Sequence, residues 1–221
     1  MDAPLLRVVS LALLQSTPDV GGHIHKFVER HQQLLKNKVW RLVIQAVVPS
    51  ISFVKSFETL QEFLVISPGA ISMFDIVDIF MINDDKSWSR SLTRLHFKQE
   101  NPSNGISITA LYLIADACPN LKSIEISIHH PMVKTHVQER KPHDLKKLVF
   151  FNLPGVWVES MALAIDLVSH LDHLFPPMAV PEYTGGKEDN PGALATREAW
   201  WRGVQDMWRM CQTSKGRKNT K

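Results

Sequence analysis

Histidine is the residue type in this sequence that most invites a chemical role. The chain has ten histidines, and four of them, His129, His130, His136 and His143, fall within a stretch of fifteen residues. A protein metal site needs Cys, His or carboxylate ligands at characteristic spacings. This stretch, HHPMVKTHVQERKPH, contains neither a Cys nor a paired carboxylate. We therefore expect a solvated loop here and predict no metal ligand.

Nucleophilic and nucleotide-binding motifs form the second group of candidates. The sequence contains no Gly-x-Ser-x-Gly elbow, no Gly-x-Gly-x-x-Gly and no Walker loop, so neither a triad nor a phosphate cradle can be assembled from it. Cys118 is expected to be a small buried residue at a corner between helix and strand. Asp84 and Asp85 lie in a segment typical of a turn, NDDKS. The sequence therefore predicts no catalytic residue and no cofactor.

Composition excludes several further classes of protein. The 221 residues are 44% hydrophobic and 21% charged, which is sufficient to bury a core. The longest uncharged run, Asn101 to Ala115, is interrupted by polar residues, so no membrane-spanning helix is predicted. Cys118 and Cys211 are too few for a disulfide framework, and we expect a reducing compartment, cytoplasmic or nuclear.

The formal charge of +3 is concentrated at the end of the sequence. Lys215, Arg217, Lys218 and Lys221 lie among the last eight residues, and removing these four from the total leaves −1. A nucleic-acid-binding protein gathers Lys and Arg on one folded face. We therefore do not expect nucleic acid as the partner, and we predict that residues 213–221 form a disordered basic tail.

A repeated pattern of six residues, apolar-x-x-apolar-x-apolar, predicts the elements that would position these side chains. The pattern begins at Val39, Leu60, Leu92, Leu121 and Leu145, at intervals of 21, 32, 29 and 24 residues. Its fourth and sixth residues would alternate into a core as those of a short strand do. Each unit therefore predicts one β-strand, and the intervals are close to the roughly 20 to 29 residues of leucine-rich repeats.

Apolar spacing between these strands becomes helical. Three segments, 19–35, 108–118 and 160–175, have apolar residues at three- and four-residue intervals. The alternation of strand and helix predicts an α/β fold with parallel strands. A doubly wound sheet fits the same alternation, but two intervals are shorter than the roughly 30 residues of a full βαβ unit. We therefore favour a leucine-rich-repeat-like solenoid with parallel strands on the concave side and helices on the convex side.

A capping helix is predicted at residues 193–212, which would close a single domain of residues 1–212. Trp201, Val204, Trp208 and Cys211 would share one stripe of this helix. A partner groove is an alternative use for such a stripe. Because a solenoid must cover its last repeat, we favour the cap.

The strand residues that point away from the core are the candidate contact residues. They are the third and fifth residues of each unit, and a repeat scaffold most often presents such a surface to another protein. These positions are Arg41, Val43, Glu62, Leu64, Arg94, His96, Ser123, Glu125, Lys147 and Val149.

One segment resembles a known family. The residues from Ala115 to Ile126, ADACPNLKSIEI, resemble the phrase CPNL-x-x-L-x-I in the leucine-rich-repeat region of fungal F-box proteins of the basidiomycete type. Three further stretches, WSRSLTRL, LDHLFP and WWRGV, are similar to what those chains carry. The resemblance covers roughly residues 88–211. It implies the substrate-recognition part of an F-box-type ubiquitin-ligase receptor, or a fragment of one, with a protein ligand and no enzymatic activity.

The F-box module itself has no recognisable counterpart in residues Met1 to Leu35. A Skp1-type adaptor is therefore expected as a partner only if an F-box lies upstream. The alternative function is that of a diverged small α/β enzyme, a hydrolase or a transferase. A deep pocket with convergent titratable groups would favour the enzyme, and a shallow curved face would favour the receptor.

Overall fold

Each six-residue unit forms a β-strand in the computed structural model of the protein. The structure describes residues 8–12, 26–27, 30–31, 39–45, 52–67, 73–81, 87–99, 106–130, 142–151, 160–176, 178–184 and 191–218. The strands are β1 (Val8–Ala12), β2 (Arg41–Gln45), β3 (Glu62–Ser67), β4 (Arg94–Gln99), β5 (Ile106–Ser107), β6 (Ser123–His130), β7 (Lys147–Phe151) and β8 (Glu182–Thr184). Strands β2, β3, β4, β6 and β7 come from the five repeated units.

All described strand pairings are parallel. The strands follow the order β1-β2-β3-β4-β6-β7-β8, and the short β5 pairs with β6. The third residues of the five units are in register, from Arg41 through Glu62, Arg94 and Ser123 to Lys147. The prediction of five parallel strands lying side by side in chain order is confirmed.

The same backbone hydrogen-bond arrangement recurs at each joint between consecutive units. The carbonyl oxygen of a unit's second residue accepts hydrogen bonds from the N–H groups of the second and third residues of the next unit. Four carbonyls, those of Trp40, Gln61, Thr93 and Lys122, do so at N···O distances between 2.7 and 3.1 Å. Because the four side chains are unrelated, the arrangement is a property of the repeated backbone.

Polar side chains also link consecutive units near these joints. The Ser91 hydroxyl donates to the Leu60 carbonyl at 2.9 Å, and the Asn120 amide donates to the carbonyl of Arg90 at 2.7 Å. Each bond joins one unit to its neighbour and satisfies a carbonyl at the point where the chain turns into a strand. The units are therefore linked by side chains as well as by the sheet.

Several of the described connections between strands contain helices. The helices are α1 (Met73–Met81), α2 (Ser87–Ser91), α3 (Thr109–Ala117), α4 (Met161–Leu174) and α5 (Pro191–Lys218), with a 3₁₀ turn at Ser52–Ser56. The helices predicted at 108–118 and 160–175 are confirmed as α3 and α4. The Ser160 hydroxyl caps α4 by accepting a hydrogen bond from the Leu163 N–H at 3.3 Å. Of the helix predicted at 19–35, residues 26–27 and 30–31 are described and helical, and the rest lies outside the described residues.

The core lies between the helices and one face of the sheet. The fourth and sixth residues of the five units are all buried there. They are Leu42, Ile44, Phe63, Val65, Leu95, Phe97, Ile124, Ile126, Leu148 and Phe150. Large side chains such as Trp88 and Phe57 complete this core. Within the described ranges, no helix has the length and apolar character needed to cross a membrane.

Helix α5 closes the end of this core. Trp201, Val204 and Trp208 are buried along one side of the helix, as the predicted stripe requires, and Cys211 is half-buried. The ring of Trp201 lies 5.5 Å from the ring of Phe150, with the planes at 75°. The helix therefore packs on the last long strand of the sheet.

Residues 213–218 of the predicted tail are helical, because α5 runs to Lys218. The Lys215 ammonium lies 2.7 Å from the carboxylate of Asp172 on α4, and Gln212 donates to the same carboxylate at 3.2 Å. These contacts between α4 and α5 hold the last turns in place, so the prediction of disorder is wrong for this part. Residues 219–221 lie outside the described residues.

Three of the clustered histidines also differ from the prediction. His129 and His130 belong to β6 rather than to a loop, because the alternation of Ile124, Ile126 and Ile128 continues the strand. His136 lies outside the described residues. His143 is buried, and its Nε2 lies 2.8 Å from the Cys118 carbonyl oxygen. Its contact is with the corner of the preceding unit and not with solvent.

Candidate binding face of the sheet

The face of the sheet opposite the helices, here called the open face, carries three rows of side chains. The first row follows the third residues of the units, namely Arg41, Glu62, Arg94, Ser123 and Lys147. The second row follows the fifth residues, namely Val43, Leu64, His96, Glu125 and Val149, and continues to Glu182 of β8. All ten predicted contact residues therefore share one face.

Two of those ten residues are buried. Leu64 is 8% exposed and Val149 is 4% exposed. Neighbouring strands lie only about 4.8 Å apart, so long side chains on the adjacent strands cover a shorter apolar one. Leu64 lies beside His96, and Val149 lies between Glu125 and Glu182. The prediction that Leu64 and Val149 offer contact surface is wrong, and they support the face from within.

Glu125 is the centre of a charged cluster on this face. Its carboxylate lies 3.2 Å from Arg94 Nη2, 2.9 Å from His96 Nδ1 and 3.9 Å from Lys147 Nζ. Glu125 stands directly opposite His96 and diagonally from Arg94 and Lys147, and such diagonal neighbours are within reach of long side chains. The register of the sheet therefore brings together four residues from three strands that are far apart in the sequence.

Two further ion pairs extend this cluster across the sheet. Arg41 Nε lies 3.2 Å from the Glu62 carboxylate, and Lys147 Nζ lies 3.6 Å from that of Glu182. Cations and anions therefore alternate along the open face. A continuous basic stripe, which a nucleic-acid interface would require, is not formed by the described residues of this face.

His96 has an unusual environment within the cluster. Burial lowers the pKa of His96 below its ordinary value; the charges of Arg94 and Lys98 act in the same direction, whereas Glu125 opposes them. His96 is therefore neutral at neutral pH. The lasting positive charge around Glu125 comes from Arg94 and Lys147.

The six-residue pattern did not predict a third row of side chains. This row follows the seventh residue of each unit and includes Lys98, Ser127 and Phe151. The ring of Phe151 reaches across the buried Ser127, lying 5.2 Å from the ring of His96 and 5.7 Å from Lys98 Nζ. Extending the two-residue alternation by one step beyond the six-residue unit would have identified these positions.

An open groove of about 530 Å³ lies between β8 and α5. Its lining includes Glu182, Glu198, Trp201, Arg202 and Gln205. The charged groups of this groove border solvent rather than an enclosed cavity. An active site normally encloses most of a small substrate and converges its polar groups on it, whereas this groove is open to solvent.

Other chemically capable residues lie on the helical side of the sheet. Burial raises the pKa of the Cys118 thiol far above its ordinary value, so Cys118 is inert as a nucleophile. Tyr112 Oη contacts His170 Nδ1 between α3 and α4, and burial lowers the pKa of His170. No group of three or more metal-ligating side chains that could hold an ion occurs among the residues that the structure describes.

Comparison of the chain with protein-family models, with curated proteins and with solved structures found no match.

Proposed function

We propose that the protein is a protein–protein interaction scaffold whose open face binds a protein ligand. The observation that carries this proposal is the open face itself, where six parallel strands align charged side chains in rows around a fixed Glu125. Ion pairs between strands hold these side chains in place before any ligand arrives. Such preorganisation lowers the entropic cost of binding.

We further propose that the strands and helices form a leucine-rich-repeat-like solenoid. The strands from β1 to β8 follow one another without the reversal of order that a doubly wound sheet has at its switch point. Right-handed connections between successive parallel strands then place all helices on one side. The recurring joint hydrogen bonds at Trp40, Gln61, Thr93 and Lys122 support equivalent repeats. The open face would be the concave side of this solenoid.

The proposed role within a ubiquitin ligase rests on the resemblance of the segment around Cys118. In the structure this segment turns from α3 into β6, with Cys118 and Leu121 buried. A corner of this kind fits the place of the CPNL phrase before a repeat strand. We therefore propose that the chain is the substrate-recognition part of an F-box-type receptor, or a fragment of one.

Site-specific cross-linking tests the scaffold function. A photoreactive phenylalanine would replace Ser123 in the first row of the open face, and in a matched control it would replace Ile165, which is exposed on α4. We expect a defined partner protein to be cross-linked through position 123 and not through position 165. Equal cross-linking at both positions, or none at position 123, would contradict the proposal.

The ligase role is tested separately on the cross-linked partner. The chain alone should not bind a Skp1-type adaptor, whereas a fusion with an N-terminal F-box should direct ubiquitylation of that partner. Direct adaptor binding by residues 1–221 would overturn our interpretation of Met1 to Leu35. Turnover of a generic ester, phosphate or glycoside substrate, lost on changing a His or Cys, would instead place the protein among the enzymes.

A further inference from the structure

The charges of the open face differ in how far they reach into solvent. In the first row, the side chains of Arg41, Arg94 and Lys147 are 38%, 40% and 48% exposed. The carboxylates paired with them lie deeper, since the side chains of Glu62 and Glu125 are only 21% and 12% exposed. A ligand approaching the first row therefore meets cations first.

The spacing of these three cations is regular. Arg41, Arg94 and Lys147 lie on β2, β4 and β7, and one strand separates each of them from the next. With strands about 4.8 Å apart, the cations repeat at intervals of about 9.6 Å across the sheet. The residues between them in the row are Glu62 and Ser123, which add no further positive charge.

An extended polypeptide in the polyproline II conformation matches this interval. It has three residues per turn and a rise of about 3.1 Å per residue, so every third side chain points to the same side at a spacing of about 9.3 Å. A β-strand would not match, because its side chains repeat on one side at every second residue. Acidic residues at every third position would therefore face all three cations.

We propose that the first row of the open face binds an acidic, extended segment of a partner protein whose carboxylates, spaced three residues apart, contact Arg41, Arg94 and Lys147. This inference rests on the proposed scaffold function and specifies the chemistry of its ligand. The carboxylates would bind the outward-facing donors of the three side chains, and the inward-facing donors would stay with Glu62 and Glu125. The exposed Glu182, paired with Lys147 at 3.6 Å, would limit the segment at the β8 end.

A protein segment fits this face better than a nucleic acid. Each strand of a nucleic-acid duplex carries one phosphate per about 3.4 Å of helix axis, so a duplex would also place phosphates against Glu62, which would repel them. The open face has the cations Arg41, Arg94, Lys98 and Lys147 against three glutamates. Carboxylates spaced at about 9 Å avoid this repulsion.

Binding of three synthetic peptides to the full chain tests the proposal by fluorescence anisotropy. The first is a repeat of Glu-Pro-Pro, the second a repeat of Gln-Pro-Pro, and the third has the composition of the first with all its Glu residues adjacent. We expect the first peptide to bind more tightly than either of the others, and to weaken as salt screens the charges. Equal binding of the Gln peptide, equal binding of the clustered peptide, or no binding of the first would each overturn the proposal.

Variants locate the binding. Arg94→Gln should weaken the Glu-Pro-Pro peptide by about threefold to tenfold, whereas Arg209→Gln, a matched change on α5 where Arg209 pairs with Asp206, should leave it within about twofold. Glu125→Gln removes a competing anion and should strengthen the binding. Equal effects of Arg94→Gln and Arg209→Gln would overturn the proposal. It would also be overturned if Glu125→Gln bound the peptide more weakly than the parent protein while having the same melting temperature. If Arg94→Gln does not fold, the more exposed Lys147→Gln replaces it.

Two further outcomes separate this proposal from its alternatives. A single-stranded oligonucleotide that binds more tightly than the Glu-Pro-Pro peptide, with the same sensitivity to Arg94→Gln, would overturn the proposal in favour of a nucleic acid. A partner cross-linked at Ser123 without any preference among the peptides would leave the scaffold function standing and reject the acidic ligand. A preference for the first peptide without a cross-linked partner would support the acidic preference of the first row and contradict the scaffold function.

Discussion

Alternate residues of the same strands build two surfaces of opposite character. On the helix side, Ile124 and Leu95 are fully buried among apolar neighbours. On the open face, Glu125 and Arg94 form an ion pair at 3.2 Å that is partly in contact with solvent. Burying one large apolar side chain stabilises a fold by about 1.5–3 kcal/mol, whereas an exposed ion pair contributes about 0–1 kcal/mol. Stability is therefore set mainly by the helix side, and the charged side chains of the open face are free to serve binding.

The largest expected effect is the loss of folding in Ile124→Asp. The substitution places an unpaired carboxylate in the core, at a cost that a marginally stable domain does not survive. Ser123→Asp, the neighbouring residue on the open face, should be tolerated, because Ser123 lies opposite Lys147. Circular dichroism of both variants checks the prediction, and similar damage from both would contradict the assignment of the two faces.

Removing a buried tryptophan from the capping helix should have the next largest effect. Trp208 is almost fully buried, and Trp208→Ala should lower the free energy of unfolding by about 3–5 kcal/mol. Met210→Ala, two residues away and exposed, should change it by no more than about 0.5 kcal/mol. Urea denaturation measures both. If both variants lost only a small part of the free energy of unfolding, the capping helix would be dispensable for the fold and the prediction would be wrong.

A dependence of stability on pH is the third prediction. Burial lowers the pKa of His96 and of His170 below the ordinary 6.5. As the pH falls through 6.5, the unfolded chain takes up protons at these positions before the folded chain does, so the free energy of unfolding decreases. Above that pH these two residues contribute no pH dependence. Urea midpoints at several pH values measure the effect. The decrease in stability at low pH should be smaller in the double variant H96Q and H170Q. An unchanged dependence of the midpoint on pH in that variant would refute the prediction.

The smallest effect is expected at an exposed ion pair beside the strands. Lys122 Nζ lies 2.8 Å from the Asp144 carboxylate, and hydrogen bonds from Lys122 and Lys146 lower the pKa of Asp144 to about 2. Both partners are exposed, so Lys122→Ala should change the free energy of unfolding by no more than about 0.5 kcal/mol. A loss as large as that of Trp208→Ala, measured in the same urea titration, would mean that this corner carries more of the stability than the two-face comparison allows.

The long strands could be predicted because their pattern is local. Each six-residue unit contains its own alternation, and burial of the fourth and sixth residues follows from it, as at Ile124 and Ile126. Strand β1 carries the same spacing in Leu6-Arg-Val-Val9-Ser-Leu11, which the five predicted units left out, and its Val9 and Leu11 lie beside Leu42 and Ile44. Strand β8 has three residues, Glu182–Thr184, too few to show a period. Strand β8 forms because it pairs with β7.

The open face could be predicted in outline only. Alternation placed Arg94, His96 and Glu125 on one side, but whether a side chain there is exposed depends on the length of its neighbours on other strands. Val149 is covered for that reason. The reach of Phe151 over Ser127 depends on the side-chain rotamer, which no spacing in the sequence encodes.

The recurring joint at Trp40, Gln61, Thr93 and Lys122 has a mechanical consequence. Because each carbonyl there holds two N–H groups of the next unit, and each unit contacts mainly its neighbours, a force that pulls β1 away from β8 loads the joints one after another. Parallel strands peeled from an edge break few hydrogen bonds at a time. The chain would therefore yield under tension in steps of one repeat, starting from the β1 end, which lies farthest from α5.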